Sequence, residues 1–454
     1  MTTYDDRPAT RHTARWPSTT FDATTKWARE AVHWGALHGV PRVGMRMAAR
    51  KGDTQGQLIL AAASDREDEV WTLIEQARSE GRVIKGQFAY LTTDHDAVRE
   101  VLSSNDFQTG TPAASRSRLT RLIEWSSSGL LHPVEAPSLL VSEPPDHTRY
   151  RKLVTRVFTA RAVMNLRERT QQIADDLLDS LDPTRPVDLV ESYCGLLPVT
   201  VISQILGVPQ SEQARVLQMG TAAAASLDMG VSWHRFRDVN DALAEFDVWL
   251  TEHIGHLRQH PGDDLMSQLV QARDEQGALS DQELKATAGL VLAAGFETTV
   301  NLLGNGIALL DRHPDQLQVL REDPDLWPNA VDEVLRLDPP VLLTGRACVR
   351  DTTVVGVPIA AGSFVTTVLA GANRDPKVFT GPARFDVTRE NARDHIAFSA
   401  GRHFCLGAAL ARMEGEVGLR SLFDRFPSMR VLPGARRRDT RVLRGFASLP
   451  TQLG

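Results

Sequence analysis

Apolar residues recur at helical spacing along most of the chain, and this periodicity predicts a mainly α protein with small β-sheets. Long helices are expected at 163–180, 240–260 and 284–310, where apolar positions follow each other at intervals of three and four residues. Alternation with a period of two is short and confined to 83–91 and 354–368, which predicts minor strands there.

The segment 284–310 is long and apolar enough to resemble a membrane span, but its middle is polar. The polar residues there are Glu297, Thr298, Thr299, Asn301 and Asn305. Such groups are costly inside a bilayer. The pattern therefore predicts a buried core helix with a polar notch and no transmembrane segment.

The N-terminal residues 1–25 are polar and lack periodicity, which predicts a disordered segment before a single domain at 26–454. They contain no apolar run, so neither a secretory signal nor an N-terminal membrane anchor is expected. Residues 26–50 alternate apolar and basic positions and predict an amphipathic helix. A surface helix is the simpler interpretation, and contact with a membrane surface or a partner is the alternative.

Composition narrows the class of protein further. A hydrophobic content of 42% in 454 residues is sufficient for a sizeable core. With 51 basic and 57 acidic residues the formal net charge is −6, which argues against nucleic-acid binding. The three cysteines, Cys194, Cys348 and Cys405, are too few for a disulfide framework and fit a reducing, cytoplasmic location.

Cys405 stands between a glycine-containing turn and an apolar helical run that starts at Ala408. Glycines at 401 and 407 allow the backbone to turn tightly and to approach a flat ligand. A helix N-terminus is expected to lower the pKa of a nearby thiol and to favour a metal-bound thiolate. The simpler alternative for any one cysteine is a buried structural residue.

The polar notch contains Ala294-Gly295-Phe296-Glu297-Thr298. A glycine inside a helix costs about 1 kcal/mol relative to alanine, and close approach of a flat macrocycle would explain it. A carboxylate beside a hydroxyl can relay protons, with Glu297 linked to solvent. Alternatively, these polar groups bond only to backbone carbonyls of their own helix.

Residues 398–407 resemble the haem-binding loop of the cytochrome P450 family, F-G-x-G-x-H-x-C-x-G, with Ser399 at the second position. Residues 294–298 resemble that family's oxygen-activation motif, A-G-x-[DE]-T. Glu333-x-x-Arg336 matches a further motif of the family, and the resemblance extends over about residues 70–454. Within the family, the sequence resembles soluble mycobacterial and other actinobacterial members. It implies the P450 fold, a helical bundle enclosing haem b.

The resemblance also assigns roles to residues. It implies that Cys405 is the iron ligand, that Glu297 and Thr298 are catalytic, and that Arg384 completes a buried network with Glu333 and Arg336. The other residues that it places at the cofactor are His147, Arg151, Ala294, Gly295, Arg346, Phe398, His403 and Gly407.

The implied activity is a monooxygenase that hydroxylates a lipophilic small molecule with O2. Because no flavin or iron–sulfur segment is apparent in the sequence, a separate ferredoxin and ferredoxin reductase are expected to supply electrons. The cations expected to dock the ferredoxin are Arg149, Lys152, Arg156, Arg402 and Arg412. The expected walls of the substrate pocket are 106–141, 226–236, 293–297, 341–344 and 445–447.

Two alternatives for the activity stay open. A peroxide-driven peroxygenase would lack the acid–alcohol pair, so Glu297 and Thr298 count against it. A non-enzymatic haem-thiolate sensor or carrier would not need a proton relay.

Overall fold

The computed structural model describes most of the chain. The described residues are 23–64, 67–110, 122–123, 125–127, 129, 132–155, 160–262, 264–274 and 277–454. Residues 1–22 of the predicted disordered segment, and Arg156 of the predicted docking cations, lie outside them.

Helices make up most of the described chain. The α-helices are α1 (Ala23–Trp34), α2 (Val40–Arg50), α3 (Thr54–Ala62), α4 (Glu67–Glu80), α5 (His95–Ser103), α6 (Asp146–Thr155), α7 (Ala160–Asp179), α8 (Leu196–Ile205), α9 (Gln213–Ala224), α10 (Trp233–Gln259), α11 (Leu265–Gln271), α12 (Asp281–Arg312), α13 (Pro314–Glu322), α14 (Trp327–Leu337), α15 (Leu369–Ala372) and α16 (Ala408–Arg425). Two π-helical turns, Gly35–Gly39 and Val190–Cys194, precede α2 and α8.

The strands are short. They are β1 (Ile84–Lys85), β2 (Tyr90–Thr92), β3 (Phe107–Gln108), β4 (Val187–Asp188), β5 (Arg273–Asp274), β6 (Gly277–Ala278), β7 (Thr344–Cys348), β8 (Thr352–Val354), β9 (Val357–Ile359), β10 (Phe364–Thr367), β11 (Arg430–Val431), β12 (Arg436–Arg437), β13 (Phe446–Ser448) and β14 (Pro450–Gln452). The largest sheet has the order β1-β2-β10-β7-β3, with β2 and β10 parallel and the other pairs antiparallel. The predicted mainly α class with small sheets is confirmed.

Helix α12 runs through the core and packs against α8, α9, α14 and α16. It begins with a capping box, in which Ser280 accepts a hydrogen bond from the Glu283 amide and the Glu283 side chain accepts one from the Ser280 amide. Close contact with α16 requires small residues, since a Cβ at Gly306 would lie 2.7 Å from Leu419 Cδ1. Among the described residues, α12 alone is long and apolar enough to cross a membrane, but 71% of that window is buried. It is a core helix.

Three local predictions need correction. Helix α10 begins at Trp233 rather than near residue 240, because the Ser232 hydroxyl accepts a hydrogen bond from the Arg235 amide. The periodicity of residues 189–207 predicts a helix that Pro198 kinks or breaks. Instead, the chain passes from the π-helical turn into α8 at Gly195, and Pro198 lies in the first turn of α8, where its missing N–H costs nothing. The Ser-, Pro- and Gly-rich composition of residues 106–141 predicts a loop, but the region contributes strand β3.

The Glu333–Arg336 pair is fully buried, and a third residue joins it. Arg336 Nε lies 2.6 Å from Glu333 Oε2, and Arg389 Nε lies 3.1 Å from the same oxygen. Arg384 contributes only its carbonyl oxygen to this network, while its guanidinium is largely exposed and paired with Asp386. The prediction that the Arg384 side chain completes the network is therefore wrong, and Arg389 takes that place.

Candidate active site

A cavity of about 930 Å³ lies between α12 and the loop that carries Cys405. Residues of α12 that line it include Ala294, Gly295, Thr298 and Thr299. The facing residues include Phe398, His403, Cys405, Gly407 and Leu410. The two motifs singled out in the sequence thus meet across one cavity.

The loop before α16 is shaped by its own backbone hydrogen bonds. The Cys405 amide donates to Phe398 O at 2.9 Å, and the Phe404 amide donates to Gly401 O at 3.1 Å. Gly407 is the N-cap of α16, and a Cβ placed on it would meet nothing within 4 Å because it faces the cavity. Arg412 lies over the Phe398 ring at 4.7 Å and fixes that side of the loop.

Cys405 is accessible from the cavity, although it lies deep in the fold. Burial raises the pKa of its thiol, while the hydrogen bond from the Gly407 amide and the charges of Arg151 and Arg412 lower it. The helix N-terminus lowers the pKa of Cys405, as predicted, but in the absence of a bound metal the pKa is raised overall because burial outweighs this effect. A coordinated metal deprotonates a thiol outright, so ionisation here depends on ligation.

Position 399 has the backbone conformation of a glycine. Ser399 has a φ of 64°, in the left-handed region that side chains disfavour. Its buried hydroxyl has no hydrogen-bond partner among the described residues. The serine at this position of the motif is accommodated, at the cost of local strain.

One edge of the cavity is rich in cations and imidazoles: His147, Arg151, Arg346 and His403 all line it. The rings of His147 and His403 are 4.4 Å apart between centroids, and His147 Nε2 has no hydrogen-bond partner among the described residues. Burial, followed by the nearby His147 and Arg346, lowers the pKa of His403 to about 4.

Glu143 is the carboxylate at this edge. It accepts hydrogen bonds from the Thr109 amide at 2.7 Å and from Arg402 Nη1 at 2.7 Å. Burial alone would raise the pKa of Glu143, but the Thr109 hydrogen bonds and the charges of His403 and Arg402 lower it. Among the described residues, Arg346 donates to Thr344 Oγ1 and Gly345 O, and burial lowers its pKa to about 10. This edge therefore carries excess positive charge and suits an anionic ligand.

Across the cavity, Thr298 and Glu297 point in different directions. The Thr298 hydroxyl lines the cavity and donates to Ala294 O at 2.9 Å. The Glu297 carboxylate is buried away from the cavity and accepts from Arg438 Nη1 at 2.8 Å. Burial raises the pKa of Glu297, and Arg438 and Arg235 oppose that shift. The Glu297 carboxylate is therefore paired with a partly exposed side chain, Arg438, which the sequence did not single out.

Comparison with known proteins agrees with this geometry. The family model described as "Cytochrome P450" matches residues 199–452. A "Putative cytochrome P450 140" of Mycobacterium tuberculosis is 50% identical over 94% of this chain and 98% of that protein. The chain belongs to the cytochrome P450 family. It is accordingly an oxidoreductase of the monooxygenase type, with haem b as cofactor.

Further relatives extend the likeness. The "6-deoxyerythronolide B hydroxylase" of Saccharopolyspora erythraea is 38% identical over 81% of this chain and 91% of that protein. Among solved structures, P450BioI in complex with an acyl carrier protein ligated to hexadec-9Z-enoic acid has a TM-score of 0.78 and 29% identity. It covers 87% of this chain and 100% of that one. The predicted P450 fold and actinobacterial resemblance are confirmed.

The residues present fit haem b. Of the three cysteines, all described, only Cys405 opens onto the cavity. The unpaired His147 nitrogen and the excess positive charge beside it suit the two propionates. The open space beside Gly407 admits a flat ring next to the thiol. At Gly295 the added Cβ would face Ile202 at 3.4 Å, so that glycine also serves packing between α12 and α8.

Other parts of the site were missed or misplaced. Several residues between 36 and 59, in the π-helical turn, α2 and α3, contribute to the cavity wall. Residues 445–447 do not: Gly445 packs on Asn301, and Val442 and Leu443 line the cavity instead. Glu414 on α16 also borders the cavity, and burial raises its pKa to about 8. The only sequence signal for it was an acidic residue within an apolar helical run.

The expected ferredoxin-docking cations are mostly engaged within the chain. Arg149 pairs with Glu283 at 3.1 Å, Arg402 with Glu143 at 2.7 Å and Arg412 with Asp332 at 2.6 Å. Lys152 on α6 is exposed.

Proposed function

We propose that this P450 binds haem b through Cys405 and hydroxylates a lipophilic small molecule in the cavity next to Thr298. The observation that carries the proposal is the placement of Cys405 and Thr298 on opposite walls of one 930 Å³ cavity. When bound, the haem supplies oxygen activation and oxidising chemistry. His147, Arg151, Arg346 and His403 are proposed to hold its propionates, and Ala294, Gly295, Phe398 and Gly407 to contact its ring.

The absorption spectrum of the dithionite-reduced protein with carbon monoxide tests the ligand. We expect a strongly red-shifted Soret band that is lost in Cys405→Ala, because a thiolate donates electron density to the iron. Cys348→Ala is the matched control, since Cys348 is a buried cysteine whose thiol lies near Arg350 O instead of the cavity. A red-shifted band that persists in Cys405→Ala would refute the assignment.

Glu297 and Thr298 are proposed to serve proton delivery, with Glu297 on the side of the surface and Thr298 on the side of the cavity. Arg438 stays protonated and does not relay protons itself, but it holds the Glu297 carboxylate and its side chain is 20% exposed, so it orients Glu297 at the surface end of this path. General acid catalysis typically contributes about 10²–10⁴-fold. Thr298→Ala is therefore expected to keep consuming electrons from the donor while less hydroxylated product forms and more hydrogen peroxide is released. A ratio of product formed to electrons consumed equal to that of the wild type would contradict this role.

Electrons are proposed to come from a ferredoxin and its reductase that dock beside α6. Lys152 supports this because it is an exposed cation on a helix that borders the Cys405 loop, where Arg151 donates to Phe404 O at 2.7 Å. Lys152→Glu should slow ferredoxin-driven turnover and weaken its salt dependence. Arg436→Glu, an exposed cation on β12, is the control. Equal effects of the two reversals would argue against docking at α6.

A lipophilic substrate is proposed because most of the cavity-lining residues away from the basic edge are apolar. The relatives whose names refer to 6-deoxyerythronolide B and to a hexadecenoyl carrier protein favour polyketide- or lipid-like chains. Titration of the haem-loaded enzyme with such compounds should shift the Soret band when they bind in the cavity. We propose a cytoplasmic location, in agreement with the sequence-based expectation.

A further inference from the structure

The helix α2 presents two neighbouring faces to solvent beside the mouth of the cavity. Val40, Val43 and Met47 follow each other at intervals of three and four residues and share one face, and each is at least half exposed. Arg42, Arg46 and Arg50 repeat every four residues and share the next face. Helix α2 has no acidic residue.

The apolar face is continuous with the cavity wall. Val40 and Phe88 both line the cavity and are 72% and 63% exposed, and Leu140 also lines it and is partly exposed. Phe88 lies close to α2, since a Cβ on Gly44 would meet its ring at 3.3 Å. Exposed apolar side chains therefore lie both on α2 and at the adjoining wall of the cavity.

Positive charge is concentrated beside this surface, although the chain as a whole has a net charge of −6. Arg46, Arg50 and Lys51 are exposed. Within the described part of the chain, no ion pair involves any of these three side chains. Burial and the charges of Arg46 and Arg441 lower the pKa of Arg42, which indicates how closely these cations crowd.

We propose that this surface, formed by Val40, Val43, Met47, Phe88 and the cations Arg46 and Arg50, docks the enzyme on an anionic lipid bilayer. Aliphatic and aromatic side chains that project beside arginines match the boundary between acyl chains and anionic headgroups. An acidic protein partner would be recognised by the cations alone and would leave the projecting apolar residues unused. Docking in this orientation places the cavity mouth against the bilayer, so that a lipophilic substrate enters from the membrane.

Vesicle co-sedimentation of the haem-loaded, full-length protein tests the proposal. We expect binding to vesicles of phosphatidylcholine with phosphatidylglycerol, weaker binding to phosphatidylcholine alone, and loss of binding at high salt. Val43→Asp and Arg46→Glu should each reduce the bound fraction several-fold. Val248→Asp on α10 is the matched apolar control, because Val43 and Val248 are both 55% exposed. Arg99→Glu on α5 is the control for charge reversal at another exposed helical arginine.

Each other outcome overturns the proposal. Absence of binding, or equal binding by Val43→Asp and Val248→Asp, would show that this surface does not contact lipid. A concentration-dependent dimer that Val43→Asp abolishes would assign the surface to a second copy of the chain. Salt-sensitive capture by an acidic acyl carrier protein that depends on Arg46 but not Val43 would assign it to a protein partner.

The inference is separable from the proposed reaction. The carbon monoxide spectrum of every variant reports haem ligation and folding, because neither Val43 nor Arg46 borders the cavity at Cys405. Loss of vesicle binding with an intact spectrum therefore tests the docking surface alone.

Discussion

Ser399 is a strained residue in the loop that carries Cys405, and its replacement by glycine should stabilise the protein. The left-handed φ of 64° costs a side chain about 1–2 kcal/mol, and the hydroxyl is buried without a partner among the described residues. Glycine also gives the unfolded chain more conformational entropy than serine does, which offsets about 0.4–1 kcal/mol of this gain. We expect Ser399→Gly to increase the free energy of unfolding by about 1 kcal/mol, measured by the denaturant midpoint of the haem-loaded protein.

Gly401 provides the contrast. Its φ of 66° is also left-handed, and an added Cβ would lie 2.6 Å from Leu102 O. Gly401→Ala should therefore destabilise the loop and lower the midpoint. If Ser399→Gly also lowered the midpoint, strain at position 399 would not be the deciding effect.

The sequence supplied the residue types of the site but not the contacts between them. Cys405, Thr298, His147, Arg346 and His403 were proposed from local motifs, and the structure places all of them on one cavity. Glu143 and Arg438 were not proposed as site residues. Each meets its partner over more than 100 residues of sequence, as in the Glu143–Arg402 and Glu297–Arg438 pairs, and no local periodicity encodes such pairs.

At the scale of elements, Glu333 connects α14 to the segment around Arg389. Replacement of Arg389 by methionine removes one of two cations from a fully buried carboxylate, which typically costs about 3–5 kcal/mol. Arg384→Met is the matched control, because the Arg384 guanidinium is 74% exposed and its side chain lies outside the network. Thermal unfolding should show a large loss for Arg389→Met and little for Arg384→Met. Equal losses would contradict the assignment of Arg389 as the third partner.

The π-helical turn Gly35–Gly39 introduces a pH-sensitive element through His38. Burial, followed by the charges of His33, His132 and Arg441, lowers the pKa of His38 to about 4. Between pH 6.5 and 4 the unfolded chain therefore binds more protons than the folded one, so stability falls as the pH falls through that window. The loss at this site is at most about 3 kcal/mol.

His38→Phe should flatten this part of the stability–pH curve, because phenylalanine retains the packing against Phe236 and cannot be protonated. Denaturant unfolding at several pH values measures the slope. His234→Phe, at an exposed histidine of α10, controls for removal of a histidine as such. An unchanged slope in His38→Phe would show that other groups dominate.

Elements were predictable where a long periodic run had local caps. Helices α7 and α12 were predicted within a few residues, and Asp94 caps α5, accepting from the Ala97 amide at 3.0 Å. Strand β3 was missed because it has only two residues and exists through pairing with β7, over 200 residues away. Such strands carry no alternation of their own.

At the scale of the whole molecule, four distant segments meet at Asp338. Its buried carboxylate accepts from Arg437 and Arg444 at 2.7 Å each, and both arginines also pair with Glu67 at the start of α4. Asn305 of α12 donates to Asp338 O and accepts from Arg437 Nη1, so this part of the predicted polar notch serves structure. The network fixes the C-terminal region whose Val442 and Leu443 line the cavity.

Asp338→Asn should be among the most destabilising conservative changes in the chain, because it leaves two buried guanidiniums with Glu67 as their shared carboxylate. We expect a loss of about 3–5 kcal/mol near neutral pH.

Burial acts to raise the pKa of Asp338, but the charges of Arg437 and Arg444, together with their hydrogen bonds, hold this pKa far below its usual value. This contribution is therefore fully present above the unfolded pKa of about 3.9 and is lost progressively as the pH falls below it. The stability difference between wild type and Asp338→Asn should shrink on acidification, whereas the surface variant Asp424→Asn should differ little from wild type at any pH. A difference that stays constant below pH 4 would mean that the network acts through packing rather than through the ionised carboxylate.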